Sequence, residues 1–203
     1  MFRGKLLGIY IARESKAELK EVKEARAILG QGLEGDRFCV KKRALKRYRP
    51  EVTLIEAEAL EALERDSSIK LEFHQSRRNL VTRGVPLNHL VGREFFVGDV
   101  RLKGLGLCEP CGHLESLTRG GVREGLQHRG GLLANIVSAG VLRAGDAVRP
   151  VRQSAKEAVE KAAAAVKSRK KEWALKLLAR AQASNPDQDD LRRIGGAYSE
   201  LGE

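Results

Sequence analysis

The sequence predicts a mainly β (α+β) fold: a β-barrel with a few short helices, followed by an all-α helical appendage. Two observations predict the barrel. Short apolar runs separated by glycines fill the first 151 residues, and only one long run among them has helical spacing. A third observation, the change to Ala- and Lys-rich sequence after Pro150, predicts the appendage. We therefore expect two domains, residues 1–151 and residues 152–203.

The elements of the first domain can be taken in order. Residues 4–12 are apolar and short, which predicts an opening strand. Residues 18–29 fit a helix by their charges or a hairpin arm by their Val and Ile, and both interpretations stay open. A helix is expected at 56–65, where apolar residues recur at helical spacing. The remaining elements are strands at 51–55, 80–82 and 95–102, one helical turn at 86–91, and a turn at Gly145-Asp146 before a closing strand.

The appendage is expected to contain helices at 155–167, 172–183 and 191–201. The stretch from Trp173 to Leu201, with its small residues and the Asn185-Pro186 turn, resembles tetratricopeptide-repeat sequence. At most one and a half repeats fit, whereas a stable array needs about three. We therefore expect this tail to dock on the barrel, on a second copy of the chain or on a protein partner.

Composition restricts the class of protein. The formal net charge is +11, and the cations are densest at residues 41–49. Such a run is either a solvated loop or a contact for an anion. Nucleic acid is a poor candidate because aromatic residues make up only 4% of the chain and base stacking needs them. An odd number of cysteines and an N-terminus without a long apolar run predict a cytoplasmic protein that does not enter a membrane.

The stretch Cys108-Glu-Pro-Cys111-Gly-His113 holds two of the three cysteines. Its spacing is compatible with two buried thiols, with part of a zinc site, or with a thioredoxin-like dithiol. The dithiol would have to begin a helix, which the glycine after Cys111 disfavours. A fourth interpretation is a single low-pKa thiolate that carries sulfur or binds a soft metal. The further ligands for zinc would have to come from the scattered residues Cys39, His74, His89 and His128.

The phrases around this stretch, taken in order, resemble the MOSC domain. This module occurs at the C-terminus of molybdenum-cofactor sulfurases and as a small free-standing protein, and the resemblance runs from about residue 4 to residue 151. The phrases are Gly-Leu-Glu-Gly-Asp-Arg at 32–37, Arg-Arg-Asn-Leu-Val-Thr-Arg-Gly at 77–84, Leu-Val-Gly-Arg-Glu-Phe-Phe-Val-Gly at 90–98, Cys-Glu-Pro-Cys-Gly-His-Leu at 108–114, Arg-Gly-Gly-Leu at 129–132 and Val-Leu-Arg-Ala-Gly-Asp-Ala-Val at 141–148.

The resemblance implies a β-barrel and a role for the cysteine that follows proline. By it, Cys111 carries a persulfide sulfur or ligates molybdenum, and some relatives reduce N-hydroxylated compounds. Cys108, three residues earlier, is expected to attack a persulfide on Cys111 and release sulfide, or only to pack against the barrel. The cofactor would be molybdopterin, which bears a phosphate. The residues expected to hold it are Arg37, Arg78, Asn79 and Arg129.

The resemblance also implies partners. The sulfurase relatives carry a desulfurase domain that this chain has no room for, so sulfur would come from a separate cysteine desulfurase or another donor. The acceptor would be a molybdoenzyme. A second function is a non-catalytic binding module that docks a protein or nucleic acid through its basic surface and helical tail.

Overall fold

The computed structural model describes residues 2–39, 50–151, 171–182 and 188–200. The chain forms two compact units, Met1–Pro150 and Val151–Glu203. The cationic run at 41–49 and the helix expected at 155–167 lie outside the described residues. Within the described ranges no helix is long and apolar enough to span a bilayer.

The first unit contains short strands, three helices and two 3-10 helices within its described residues. The 3-10 helices are Phe73–Ser76 and Leu87–Leu90. The strands are β1 (Gly4–Ile11), β2 (Lys20–Val22), β3 (Glu24–Ile28), β4 (Gly32–Leu33), β5 (Val52–Glu56), β6 (Leu80–Arg83), β7 (Glu94–Val97), β8 (Val100–Leu107), β9 (Leu132–Ile136), β10 (Gly140–Arg143) and β11 (Ala147–Pro150). The helices are α1 (Ala57–Ser67), α2 (Gly112–Ser116) and α3 (Val122–Gly125).

The predicted barrel is confirmed. Strands pair in the order β11-β7-β8-β9-β5-β6-β1, and β1 pairs again with β11, which closes the ring. The pairing of β5 with β6 is parallel and the other pairings in the ring are antiparallel. Closure leaves no unpaired sheet edge in the ring, which is how a small β fold satisfies its backbone groups. Beside the ring, β10, β3 and β4 form a small sheet of three strands.

Two layers of apolar contacts hold this unit together. Alternate residues of each strand point to opposite faces, so Leu54 and Leu80 fill the barrel interior while Ile55 and Val81 face outward. The outward residues pack against α1, α2 and α3 through a shared cluster. The helices thus cover one side of the barrel, and the loops that carry α2 and α3 stay close to its strand ends.

The structure differs from the sequence-based expectation at two places and decides a third. The strand expected at 95–102 is a hairpin, because Gly98 turns with φ 56° and Val97 pairs with Val100. Of the two interpretations of residues 18–29, the structure shows strands, β2 and β3. A short helix, α2, does follow Cys111. The strand before that helix pairs antiparallel on both sides, so the surroundings are not those of a thioredoxin-like dithiol.

The second unit contains two helices within its described residues, α4 (Lys171–Gln182) and α5 (Gln188–Glu200). They correspond to the helices expected at 172–183 and 191–201. Their small shared core has its largest buried side chains at Leu177, Leu178 and Ile194. Trp173 and Leu191 remain about half exposed, at 50% and 46%. The resemblance of this tail to tetratricopeptide repeats stays a prediction.

The entry into β9 depends on Gly131, and this can be tested. Its φ is +111°, and a Cβ atom there would lie 1.9 Å from the Leu54 carbonyl oxygen. We expect Gly131→Ala to lower the free energy of unfolding by roughly 3 kcal/mol, because both the backbone and the β5 contact would be strained. Urea denaturation measures this difference.

Gly106 in β8 provides the matched control. A Cβ atom added there meets nothing within 4 Å. Gly106→Ala should change the free energy of unfolding by less than about 1 kcal/mol. Equal losses in the two variants would show that the close approach of Gly131 to β5 is unimportant.

Candidate functional site

Strand register brings distant parts of the chain together at one end of the barrel. Leu107 of β8 pairs with Leu132 of β9, Leu132 with Leu54 of β5, and Leu54 with Leu80 of β6. These four leucines form a row across four neighbouring strands. Cys108 and Gly131 lie just beyond this row at the same end, where the Cys108 N–H donates to the Gly131 carbonyl. Arg78, which precedes β6, reaches this end with its side chain and donates to the carbonyls of Cys108 and Gly130. We define the site as this meeting point.

The loop from Cys108 to Cys111 (the cysteine loop) is anchored at its start and open at its end. The backbone N–H of Cys108 donates to the Gly131 carbonyl at 2.7 Å, and its side chain is partly buried. Cys111 is exposed and directly precedes α2, and its carbonyl accepts the Glu115 N–H at 3.2 Å. The loop therefore presents one thiol to solvent and keeps the other against the barrel.

Arg78 is the buried group that fixes the cysteine loop. Its guanidinium donates to three carbonyl oxygens: Nε to Gly130 at 2.9 Å, Nη1 to Ser76 at 3.1 Å and Nη2 to Cys108 at 2.9 Å. The residue is 6% exposed. One planar cation thus joins the segment before β6, the segment before β9 and the cysteine loop.

Gly130 allows the β9 segment to come this close to the cysteine loop. A Cβ atom on Gly130 would lie 2.6 Å from the Cys108 carbonyl oxygen and 2.8 Å from Cδ of Pro110. These distances are shorter than ordinary Cβ contacts, so a larger residue would push the two segments apart and stretch the Arg78 hydrogen bonds.

Asn79 lies inside the barrel, next to Arg78 in sequence. Its Oδ1 accepts from the backbone N–H of Thr53 at 3.1 Å and from the Thr53 hydroxyl at 2.9 Å, and its Nδ2 donates to the Tyr10 carbonyl at 3.1 Å. The residue is fully buried. In this structure its side chain joins β1 and β5 to the start of β6. These hydrogen bonds hold the backbone directly after Arg78. The cofactor contact expected of Asn79 stays a prediction.

Arg37 lies close enough to Arg78 for the two charges to interact, and the cofactor contact expected of Arg37 stays a prediction. Its guanidinium contacts the carboxylate of Asp36 at 3.3 Å and donates to the Arg77 carbonyl at 3.2 Å. Asp36 is itself held by the backbone N–H groups of Ala12 and Phe38. Burial lowers the pKa of Arg37, the Asp36 carboxylate raises it, and nearby Arg78 lowers it further. Arg37 and Arg78 are therefore two neighbouring cations, and the Asp36 carboxylate contacts Arg37.

Arg129 is engaged elsewhere in this structure. Its Nε donates to the Gly125 carbonyl at 2.7 Å, and its Nη1 contacts the Asp66 carboxylate at the end of α1 at 2.9 Å. The anion contact predicted for Arg129 would require exchange of this partly exposed ion pair. Sequence position alone placed it next to Gly130, but its side chain extends toward α1.

Burial affects the ionisation of the Cys108 thiol. Burial raises the pKa of Cys108, and Arg78 opposes that shift only in part; Cys111 and Glu109 raise it further. Cys108 is therefore a neutral thiol at neutral pH. In the described part of the chain no three His, Cys, Asp or Glu side chains group as a metal site, so the zinc interpretation finds no ligand set there.

Sequence reasoning gave no role to Glu109, which lies between the two cysteines. Its carboxylate accepts the backbone N–H of His128 at 2.9 Å and contacts Nδ1 of the same histidine at 3.1 Å. The sequence contains the phrases Cys-Glu-Pro-Cys and His-Arg-Gly-Gly, but nothing in their spacing indicates that Glu109 and His128 are in contact. His113, two residues after Cys111, is exposed on α2.

Comparison with known proteins agrees with this architecture. A family model described as the MOSC domain matches residues 42–149. No curated protein sequence matches the chain. Among solved structures, the YuaD protein from Bacillus subtilis is 18% identical with a TM-score of 0.60, covering 73% of this chain and 97% of that chain.

Two YiiM proteins are similar to a comparable degree. YiiM from Geobacillus stearothermophilus is 12% identical with a TM-score of 0.58, covering 78% of this chain and 90% of that one. YiiM from Escherichia coli is 18% identical with a TM-score of 0.55, covering 76% of this chain and 72% of that one. At these identities the likeness shows a shared fold.

The geometry predicts an order of thiol reactivity. Cys111 is exposed, whereas Cys39 and Cys108 are partly buried. With limiting iodoacetamide at neutral pH, Cys111 should be alkylated first, because the thiolate must be reached by the reagent. Cys108 should gain reactivity only as pH rises, since burial raises its pKa. Peptide mass spectrometry after timed quenching measures all three rates, and faster labelling of Cys39 at neutral pH would contradict the assignment.

Proposed function

The chain belongs to the MOSC domain family, and on this premise we propose that it is a sulfur carrier in which Cys111 holds sulfane sulfur as a persulfide. The observation that supports this best is the exposed thiol of Cys111 at the end of a loop whose other end is fixed by buried Arg78. A carrier needs a thiol that both a donor and an acceptor can reach, held by a backbone that does not move between the two reactions.

The chemistry follows from the thiol. The Cys111 thiolate attacks the terminal sulfur of a donor persulfide, a new S–S bond forms, and the donor's S–S bond breaks to release the donor thiolate. An acceptor nucleophile then attacks the terminal sulfur on Cys111 and regenerates the thiolate. The donor is a separate desulfurase or a small persulfide, and a molybdoenzyme is the acceptor that the family resemblance suggests.

A second candidate function is binding of the molybdenum cofactor, with Cys111 as the thiolate ligand. The residues present fit it: Cys111 is an exposed soft sulfur donor, its loop is hydrogen-bonded to buried Arg78, and partly buried Arg37 lies near Arg78. Since the described residues hold no cluster of metal ligands, molybdenum would have to arrive with ligands of its own, as it does on a pterin. The bound group would supply redox chemistry, while Arg37 and Arg78 would favour its phosphate.

In binding a molybdenum cofactor, the polar residues of the site would contribute in different ways. Arg78 keeps its guanidinium on three carbonyls and acts mainly as a fixed positive charge. Asn79 acts through Arg78, because its own amide is used inside the barrel. Arg129 would contribute only after leaving Asp66.

The helical tail is proposed to bind a protein partner or a second copy of the chain. Trp173 and Leu191 leave apolar surface on its helices, and such surface commonly marks an interaction site. The tail forms a compact unit of its own. Its role is therefore assembly, separate from the thiol chemistry of the barrel.

The two functions make different predictions for purified protein. After loading with a sulfur donor, the carrier should hold about one cyanide-releasable sulfur per chain, whereas the cofactor function requires molybdenum and pterin. Cys111→Ser should abolish whichever is found, because serine offers neither a persulfide nor a soft ligand. Cys39→Ser is the matched control and should keep it. Full retention in Cys111→Ser would refute both functions.

Cys108 is proposed to release sulfur from a loaded carrier. Its thiolate would attack Sγ of Cys111, expel sulfide and leave a Cys108–Cys111 disulfide. Because burial raises the pKa of Cys108, this release should be slow at neutral pH and accelerate as pH rises. Cys108→Ala should hold its persulfide longer, as measured by sulfide release over time. Equal persulfide lifetimes in both proteins at high pH would contradict this role.

A further inference from the structure

His128 and Glu109 form a hydrogen-bonded pair beside the cysteine loop. Nδ1 of His128 lies 3.1 Å from Oε1 of Glu109, and the backbone N–H of His128 donates to Oε2 at 2.9 Å. Glu109 comes from the loop itself, two residues before Cys111. His128 comes from the segment that leads into Gly130 and Gly131. The pair therefore connects the cysteine loop to the segment before β9, as Arg78 does from a different residue of the loop.

The pairing fixes the state of the imidazole. A carboxylate only accepts hydrogen bonds, so Nδ1 of His128 has to carry a hydrogen. Nε2 is then the nitrogen that can give or take a proton. Its polar neighbour in the structure is Nε2 of Gln127, at the long distance of 3.5 Å. The histidine side chain is 75% exposed, so this nitrogen remains accessible to a bound molecule.

The backbone of His128 is held in an unusual conformation. Its φ is +60°, in the left-handed region that residues other than glycine seldom adopt. Three hydrogen bonds keep it there: two to Glu109 and one from Nδ2 of Asn88 to the His128 carbonyl at 2.7 Å. Such over-determined conformations concentrate at functional sites. His128 lines a cavity.

That cavity has a volume of about 570 Å³ and lies against the cysteine loop. Pro110 and Glu115, which come just before Cys111 and shortly after it, both line the cavity. The volume is in the range of small-molecule sites. The charged and titratable groups facing His128 there are Glu109 from the cysteine loop, Glu115 from α2, and Arg123 and Glu124 from α3.

We propose that His128, oriented by Glu109, is the proton donor for sulfur transfer to Cys111, acting on a donor persulfide bound in this cavity. This inference rests on the proposed carrier function. When the Cys111 thiolate takes the terminal sulfur, the donor's S–S bond breaks and its electron pair stays on the departing sulfur. Nε2 of the His128 imidazolium gives that sulfur a proton, which leaves neutral His128, a donor thiol and a persulfide on Cys111. No external oxidant or reductant is consumed.

If His128 donates a proton, two reactions of the Cys111 thiol should depend on this histidine to different degrees. Alkylation of Cys111 by iodoacetamide expels iodide, which needs no proton, so it should not depend on His128. Sulfur transfer expels a thiolate, which does. General acid catalysis of this kind typically contributes about 100-fold or more.

The test compares these two rates in the full-length protein. Cysteine persulfide is the sulfur donor, iodoacetamide is the alkylating agent, and both products at Cys111 are followed by mass spectrometry between about pH 6 and about pH 9. The variants are His128→Asn, which suits the left-handed backbone, and Glu109→Gln, which keeps the shape of the acceptor. His113→Asn is the matched control, because His113 is exposed and two residues from Cys111.

In the wild type, both sulfur transfer and alkylation should take place at Cys111. His128→Asn should reduce sulfur transfer by about 100-fold with unchanged alkylation, so that the ratio of the two rates falls by the same factor. Glu109→Gln should give a smaller loss, and His113→Asn should match the wild type. The titration of the donor itself is common to all the proteins.

Two results would overturn the proposal while leaving the carrier function standing. One is a wild-type profile in His128→Asn. The other is an equal loss of both reactions in that variant, which would show that His128 only shapes the loop. If wild-type Cys111 is alkylated normally but takes no sulfur, the carrier function itself is wrong, and the role of His128 is refuted with it.

Discussion

The site depends on one buried cation. Arg78 donates to the carbonyl oxygens of Ser76, Cys108 and Gly130, which belong to three segments far apart in the sequence. Carbonyl oxygens carry only partial charge, so the guanidinium keeps a net positive charge where solvent is excluded. The same interaction therefore fixes the backbone of the cysteine loop and sets the electrostatic environment of its thiols. Loss of this residue would leave three buried carbonyls without donors.

The two cysteines of the loop that Arg78 binds differ in their surroundings. Cys108 is drawn against the barrel by its own N–H and C=O groups, and burial raises its pKa. Cys111, three residues later, is exposed. The anchored start and the open end of the loop therefore give it one partly buried thiol and one exposed thiol.

Local pattern was enough to predict most elements of the barrel. Glycine-punctuated apolar runs gave the strands β1, β5 and β6, and helical spacing gave α1. The local pattern did not predict the structure where a single residue changes the direction of the chain. Gly98 turns a continuous apolar run into the β7–β8 hairpin. Similarly, α2 forms after Cys111 despite a glycine at its start, because Leu114 is buried against the cluster beneath α1.

The sequence by itself determined the fold class and the family, since these depend on residue order and local spacing. Tertiary structure alone decided what each polar side chain does. Asn79 turns inward to bind Thr53 and Tyr10, and Arg129 reaches Asp66, although both stand in phrases that suggested cofactor contacts. The pairing of Glu109 with His128 was also invisible in the sequence. These partners lie 19 to 69 residues apart along the chain, and only the register of the closed barrel brings them within hydrogen-bond distance.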